Sequence, residues 1–260
     1  MISIGKEVRL SRLFDQKSGN AVFVAMDHGA ILGPIPGIVD PRVTVANLSK
    51  EKPNAFFMPS GIIKQVYPSF IENDIPFIAA VDTCTFLGPE PEFFFLSDTV
   101  EHALSMGASA VSMHVMLGPE KTSDMLKGLA KMVRDCDRYG MPLLAIMYPA
   151  GFENNFDVKV VKWAARIAAE LGADFVKTYY TGSKETFSEV IEGCPIPVLL
   201  SGGEKSKDPK SFFSTLKTCI DCGARGVAVG RNVWQAEDPS MILRGVKKIV
   251  HENAEVSEVI

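Results

Sequence analysis

Cysteine is sparse and patternless in this chain of 260 residues: Cys84, Cys136, Cys194, Cys219 and Cys222 form an odd, scattered set. Such a set excludes the disulfide framework that staples small secreted domains. Cys219 and Cys222 do make a CxxC, but it falls late in an amphipathic helical pattern with no second pair to complete a zinc site, and it reads as helix packing. A basic excess is also missing. With 27 Lys and Arg against 31 Asp and Glu the net charge is −4, which disfavours nucleic acid as a partner yet leaves room for a local cationic pocket. No uncharged stretch reaches membrane-spanning length, and the opening MISIGKEVRLSRLF carries charge where a signal peptide has an apolar core. A soluble, cytoplasmic protein without a membrane partner is therefore expected. Neither a Gly/Ser linker nor a charge block divides the chain, so residues 1–260 read as one domain.

What the chain has in abundance is repetition. Apolar runs rich in small and β-branched residues begin at positions 21, 54, 76, 108, 142, 174, 197 and 226, so they are spaced 22 to 34 residues apart. Each ends in polar residues or glycine, and helical periodicity follows each one, over 41–50, 62–73, 98–106, 123–139, 158–171, 184–192, 209–221 and 239–252. Ser97 and Asp238 supply start signals; Gly107, Gly140, Gly172 and Gly223 supply stops. Eight strands, each followed by a helix, are the arithmetic of an α/β fold of the (β/α)8 TIM-barrel type, here preceded by a short helix over 4–14. The competing doubly wound sheet calls for a GxGxxG loop after its first strand, and MDHGAILGPIPG lacks that spacing.

In such a barrel the reactive groups project from the C-terminal ends of the strands. The sixth run, DFVKTYYTG, places Lys177 inside an apolar strand, on one face with Phe175 and Tyr179. A buried lysine loses charge readily and becomes a nucleophile toward carbonyls, the chemistry of a Schiff base. The other strand ends offer Asp27 and His28, Ser60, Asp82 and Thr83, His114, Tyr148, and Thr178 beside Lys177. Lys177, Tyr148 and Asp27 suffice to divide nucleophilic attack and proton transfer between them. Runs seven and eight end in Ser201-Gly202-Gly203 and Gly230-Arg231-Asn232, where small residues and a guanidinium favour an anion, so a phosphorylated substrate is expected. His28 and His114 form a second option, a divalent metal acting on the carbonyl in a metal-dependent lyase, although hydrogen bonding within the pocket suits both better.

Five segments carry a family resemblance: MDHG from Met26, MYPAG from Met147, VKTYYTG from Val176, SGGEK from Ser201 and GVAVGRNVWQ from Gly226. Together and in this order they resemble the DhnA-type class I aldolases, which include archaeal-type fructose-bisphosphate aldolase, 2-amino-3,7-dideoxy-D-threo-hept-6-ulosonate synthase and an LsrF-like thiolase acting on a phosphorylated diketone. The resemblance implies a homo-oligomeric barrel that makes or breaks a C–C bond between a phosphorylated ketose and an aldehyde, with no metal and no cofactor. It implies Lys177 as the imine lysine, Tyr148 as a proton-transfer residue and Asp27 as the acid/base assisting imine formation. Phosphate is implied at Gly202, Gly203, Gly230 and Arg231, with Ser201 and His28 beside them. Between Ser60 and Leu96 the chain departs from the family pattern: AAVDTCT and GPEPEFFFLSD replace the family's lysine- and asparagine-bearing third strand in a region expected to line the pocket. ASAVSMHVMLGPE and KIVHENAEV lean toward the aminodideoxyheptulosonate synthase branch.

Overall fold

The computed structural model describes residues 3–118 and 120–260, so position 119 of ASAVSMHVMLGPE lies outside the described residues. Ten strands occur among them: β1 Ala21–Ala25, β2 Ala55–Pro59, β3 Phe77–Ala80, β4 Asp82–Thr83, β5 Phe95–Leu96, β6 Ala110–Leu117, β7 Leu143–Pro149, β8 Phe175–Thr178, β9 Val198–Ser201 and β10 Gly226–Val229. Eight of them close a barrel in the order β1, β10, β9, β8, β7, β6, β3, β2, and every pairing in it is parallel. These are the eight runs expected from the sequence, and the intervening helices agree with the periodicity to within two residues. The N-cap before Val100 is Thr99, whose hydroxyl accepts from the His102 amide, rather than Ser97; Asp238 caps as expected.

The third run is where the expectation of one continuous strand fails. The barrel strand stops at Ala80, and Asp82–Thr83 turns away to pair antiparallel with Phe95–Leu96, making a small ribbon over the barrel mouth. Two further short helices, His28–Leu32 and Arg231–Trp234, follow β1 and β10 directly and were not expected. Both begin at residues singled out as site candidates.

Alternation along each strand divides two apolar layers. Phe23, Phe57, Ile78, Leu144, Ile146, Phe175 and Leu199 fill the barrel interior, whereas Val176, Val198 and Val227 face the surrounding helices. The N-terminal helix Ile4–Leu13 closes the bottom: Leu13 is fully buried there, and the Phe14 ring meets Phe175 edge-on at 5.5 Å. Phe175 forms the floor two residues below Lys177 on the same face of β8. Phe175→Ala is expected to cost about 3–5 kcal/mol through the cavity it leaves, read as a lower midpoint in denaturant unfolding.

Candidate active site

Above this floor, at the C-terminal ends of the strands, a cavity of about 500 Å³ is lined by groups from β1, β6, β7, β8, β9 and β10. Lys177 lies in register between Ile146 of β7 and Leu199 of β9, is 5% exposed, and points its Nζ at the Phe57 ring, 4.8 Å from the centroid. The amine has no hydrogen-bond or ion-pair partner among the described residues. Burial, opposed by Asp27 and reinforced by Arg231, lowers its pKa to about 8. About a tenth of the amine is then unprotonated at pH 7, against a few parts in ten thousand for a solvated lysine. The structure places the lysine that interrupts the apolar run buried on the cavity wall.

Tyr148, from β7, has its ring 5.8 Å from the Lys177 Nζ and shares a 2.8 Å hydrogen bond between its hydroxyl and Ser201 Oγ. It stacks flat on Tyr179, with centroids 4.4 Å apart and planes within 1°. Burial pushes the phenol pKa well up, so at neutral pH Tyr148 is a proton donor.

Asp27 follows β1 and is 6% exposed. Its Oδ2 lies 3.3 Å from His114 Nε2 and its Oδ1 lies 3.1 Å from His28 Nδ1. Burial alone raises a carboxyl pKa, but the two imidazoles outweigh it and hold Asp27 well below the usual range. His114 is engaged on its other side as well, since Asp82 accepts from the His114 amide at 2.6 Å and faces ring Nδ1 at 3.0 Å. Burial opposes charge on this ring; Asp82 and Asp27 overcome it and raise the pKa to about 9. Both histidines weighed as metal ligands thus face carboxylates, His28 through Nδ1 and His114 through both ring nitrogens. Sequence reading missed the Asp82–His114 contact because the sharp turn after Ala80 creates it.

At the ends of the adjacent strands β9 and β10, Ser201, Gly202, Gly203, Gly230 and Arg231 come together as expected, with His28 beside them. Gly202 packs against β10, where a Cβ would meet Val229 Cγ2 at 2.8 Å. Its amide donates to the Ala228 carbonyl, so Gly202 contributes clearance and no free N–H. Gly203 adopts φ +68°, and its amide has no partner among the described residues. Arg231 Nε is likewise buried without a partner. Asn232, which the sequence placed at the end of run eight without a role, braces the two loops: its Nδ2 donates to the Gly202 and Glu204 carbonyls at 2.6 and 2.8 Å, and its Oδ1 accepts from the Ser206 amide. Lys205 adds a bond to the Gln235 carbonyl at 2.6 Å.

Four strand-end candidates stay outside the cavity lining. Ser60 begins a helix and bonds Asp98, Asp82 faces the far nitrogen of the His114 ring, Thr178 faces outward and donates to the Met147 carbonyl, and Thr83 belongs to the ribbon. The divergent segment does line the cavity, through Phe86, Pro91, Glu92 and Phe94.

The family model described as DeoC/LacD family aldolase matches residues 21–236. The chain belongs to this aldolase family. Among its relatives, the 2-amino-3,7-dideoxy-D-threo-hept-6-ulosonate synthase of Halobacterium salinarum is 33% identical, covering 98% of this chain and 95% of that protein. An uncharacterized aldolase of Saccharolobus solfataricus is 35% identical over 98% and 97% of the two chains. A solved archaeal fructose-1,6-bisphosphate aldolase, with its catalytic lysine covalently bound to the carbinolamine intermediate, superposes with a TM-score of 0.85 at 32% identity, covering 95% of this chain and 99% of that one. The resemblance read from the motifs is borne out, and with it the class: this is a class I aldolase. Among the described residues of the aldolase no helix is long and apolar enough to cross a membrane.

Proposed function

We propose that this aldolase makes or breaks a carbon–carbon bond in a phosphorylated ketose through an imine on Lys177. The observation that carries the proposal is the buried, unpartnered Lys177 amine on the cavity wall, with an ionised carboxylate and a neutral phenol lining the same space. The amine attacks the ketone to give a carbinolamine, which loses water to become an iminium. In the cleavage direction the iminium accepts the electron pair of the breaking C–C bond while the neighbouring hydroxyl gives up its proton; aldehyde leaves, and the enamine is reprotonated and hydrolysed. In the bond-making direction the Tyr148 phenol gives its proton to the aldehyde oxygen as the enamine attacks, and in cleavage the phenolate takes that proton back; Asp27 assists imine formation and balances the iminium charge.

The unpartnered Gly203 amide and Arg231 Nε support phosphate binding between the loops after β9 and β10, with Ser201, Gly202, His28 and Gly230 shaping the site. Fixing the phosphate there orients the ketone toward Lys177. The aldehyde portion then meets Phe86, Glu92, Phe94 and Phe156. The named relatives handle fructose 1,6-bisphosphate and a heptulosonate, which supports a sugar-phosphate substrate without choosing between them. A cytoplasmic homo-oligomer completes the proposal, and light scattering after size-exclusion chromatography reads the assembly.

A coupled assay for aldehyde release from a panel of phosphoketoses and their dephosphorylated counterparts tests this function. Phosphoketoses are expected to turn over and the sugars lacking phosphate to fail; turnover of both at equal kcat/KM, or of neither, contradicts it. Arg231→Ala is expected to raise KM roughly ten- to a hundred-fold with kcat little changed, since a charge-assisted contact of ~1.5–3 kcal/mol is lost in ground and transition states alike. The rate of imine formation is expected to rise with pH through about 8 as Lys177 gives up its proton, measured by borohydride trapping at a series of pH values.

A further inference from the structure

The row Asp27, His114, Asp82 crosses from the cavity into the ribbon that this chain builds where its sequence leaves the family pattern. Both carboxylates are buried, with 7% and 0% of their side chains exposed, and each faces a different nitrogen of one ring. An ionised carboxylate only accepts, and a neutral imidazole carries one N–H. Only the doubly protonated ring donates to Asp27 and Asp82 together. The ring is fixed in the other directions too. Phe94, just before the second ribbon strand, stacks on it with centroids 4.2 Å apart and planes 19° from parallel, and Asp82 accepts from the His114 backbone N–H.

We propose that Asp82 is a positioning residue of the reaction: through His114 it holds the Asp27 carboxylate in one orientation on the cavity wall shared with Lys177. The proposal rests on Lys177 as the imine lysine but concerns a residue that reaches no substrate, since Asp82 is absent from the cavity lining. The charged or titratable groups around the row are few. His28 approaches Asp27 from the helix after β1, the Tyr148 ring lies 6.4 Å from the His114 ring, and Lys177 lines the cavity from β8. Cys84 stays a thiol, pushed up to about 12 by burial together with Asp82 and Asp27. Burial pushes the Asp82 carboxyl up, as expected where one imidazolium serves two carboxylates. When the ring loses a proton near pH 9, one carboxylate loses its donor, and Asp27 is no longer held.

The test is a histidine NMR titration of the full chain, whose four histidines are assigned with a His114→Gln variant, alongside borohydride trapping of Lys177 as a function of pH. In the unsubstituted protein His114 is expected to carry protons on both nitrogens at pH 7 and to titrate near 9, with imine yield falling along the same curve. Asp82→Asn is expected to move both down by roughly one pH unit or more and to slow trapping roughly ten-fold. A residue that only packed the ribbon would lower thermal stability and leave both curves in place, which overturns the proposal. If the Asp82→Asn variant does not fold, the unsubstituted chain still decides: titration near 6.5, or a freely exchanging Nδ1 proton, overturns it, and a raised value with a protected proton supports it. Absence of any imine would defeat the Lys177 reading alone, because the titration needs no substrate.

Discussion

Lys177→Ala is expected to lower turnover by on the order of 10⁴-fold or more, and to leave the fold and phosphate binding intact. The size of the effect follows from the absence of a substitute. Among the described residues no other lysine lines the cavity; its wall otherwise offers the Arg231 guanidinium and the His114 ring, and neither is an amine that could replace Lys177 in an imine. The substitution is also structurally mild. Among the described residues the Lys177 amine has no hydrogen-bond or ion-pair partner that its loss would orphan, and removing a buried amine from above Phe57 relieves desolvation. Unchanged thermal unfolding with turnover lost would separate chemistry from stability; a Lys177→Ala protein with more than a few per cent of the original kcat would show that the amine is not the nucleophile.

Tyr148→Phe is expected to reduce kcat by roughly 10²–10⁴-fold, the range for a removed general acid or base, while imine formation persists. The ring stays in its slot against Tyr179, so packing barely changes, and Ser201 Oγ loses its partner at the edge of a solvent-reachable cavity. Single-turnover trapping beside steady-state turnover distinguishes the steps. Trapped ketose accumulating on Lys177 while aldehyde release stalls is the expected pattern; equal loss of both would move Tyr148 from the C–C step to imine formation.

The barrel was legible because β-branched and small residues cluster at intervals that only a strand-and-helix repeat explains, and because Asp238 and Gly172 mark helix ends by their own backbone chemistry. Lys177 was legible for the opposite reason: it violates the apolar pattern of its own strand. Alternation along a strand puts Lys177 and Thr178 on opposite faces, yet Thr178 was offered with Lys177 at the strand end, and nothing warned that Ser60 opens a helix. The Asp82–His114 contact spans 32 residues and depends on a turn after Ala80 that abandons the barrel ladder. Nothing local in AAVDTCT distinguishes such a departure from a strand continued by three more residues. The bracing role of Asn232 escaped for a related reason, since its three bonds all reach across to the neighbouring loop.

The most direct measurement is borohydride reduction of the protein incubated with a panel of phosphorylated ketoses, followed by peptide mass spectrometry. The expected result is a stable adduct on Lys177, formed with a phosphoketose, absent without borohydride and absent in Lys177→Ala. An adduct on a different lysine, or turnover of a phosphoketose with no adduct at any pH between 7 and 9, would contradict imine catalysis at this site.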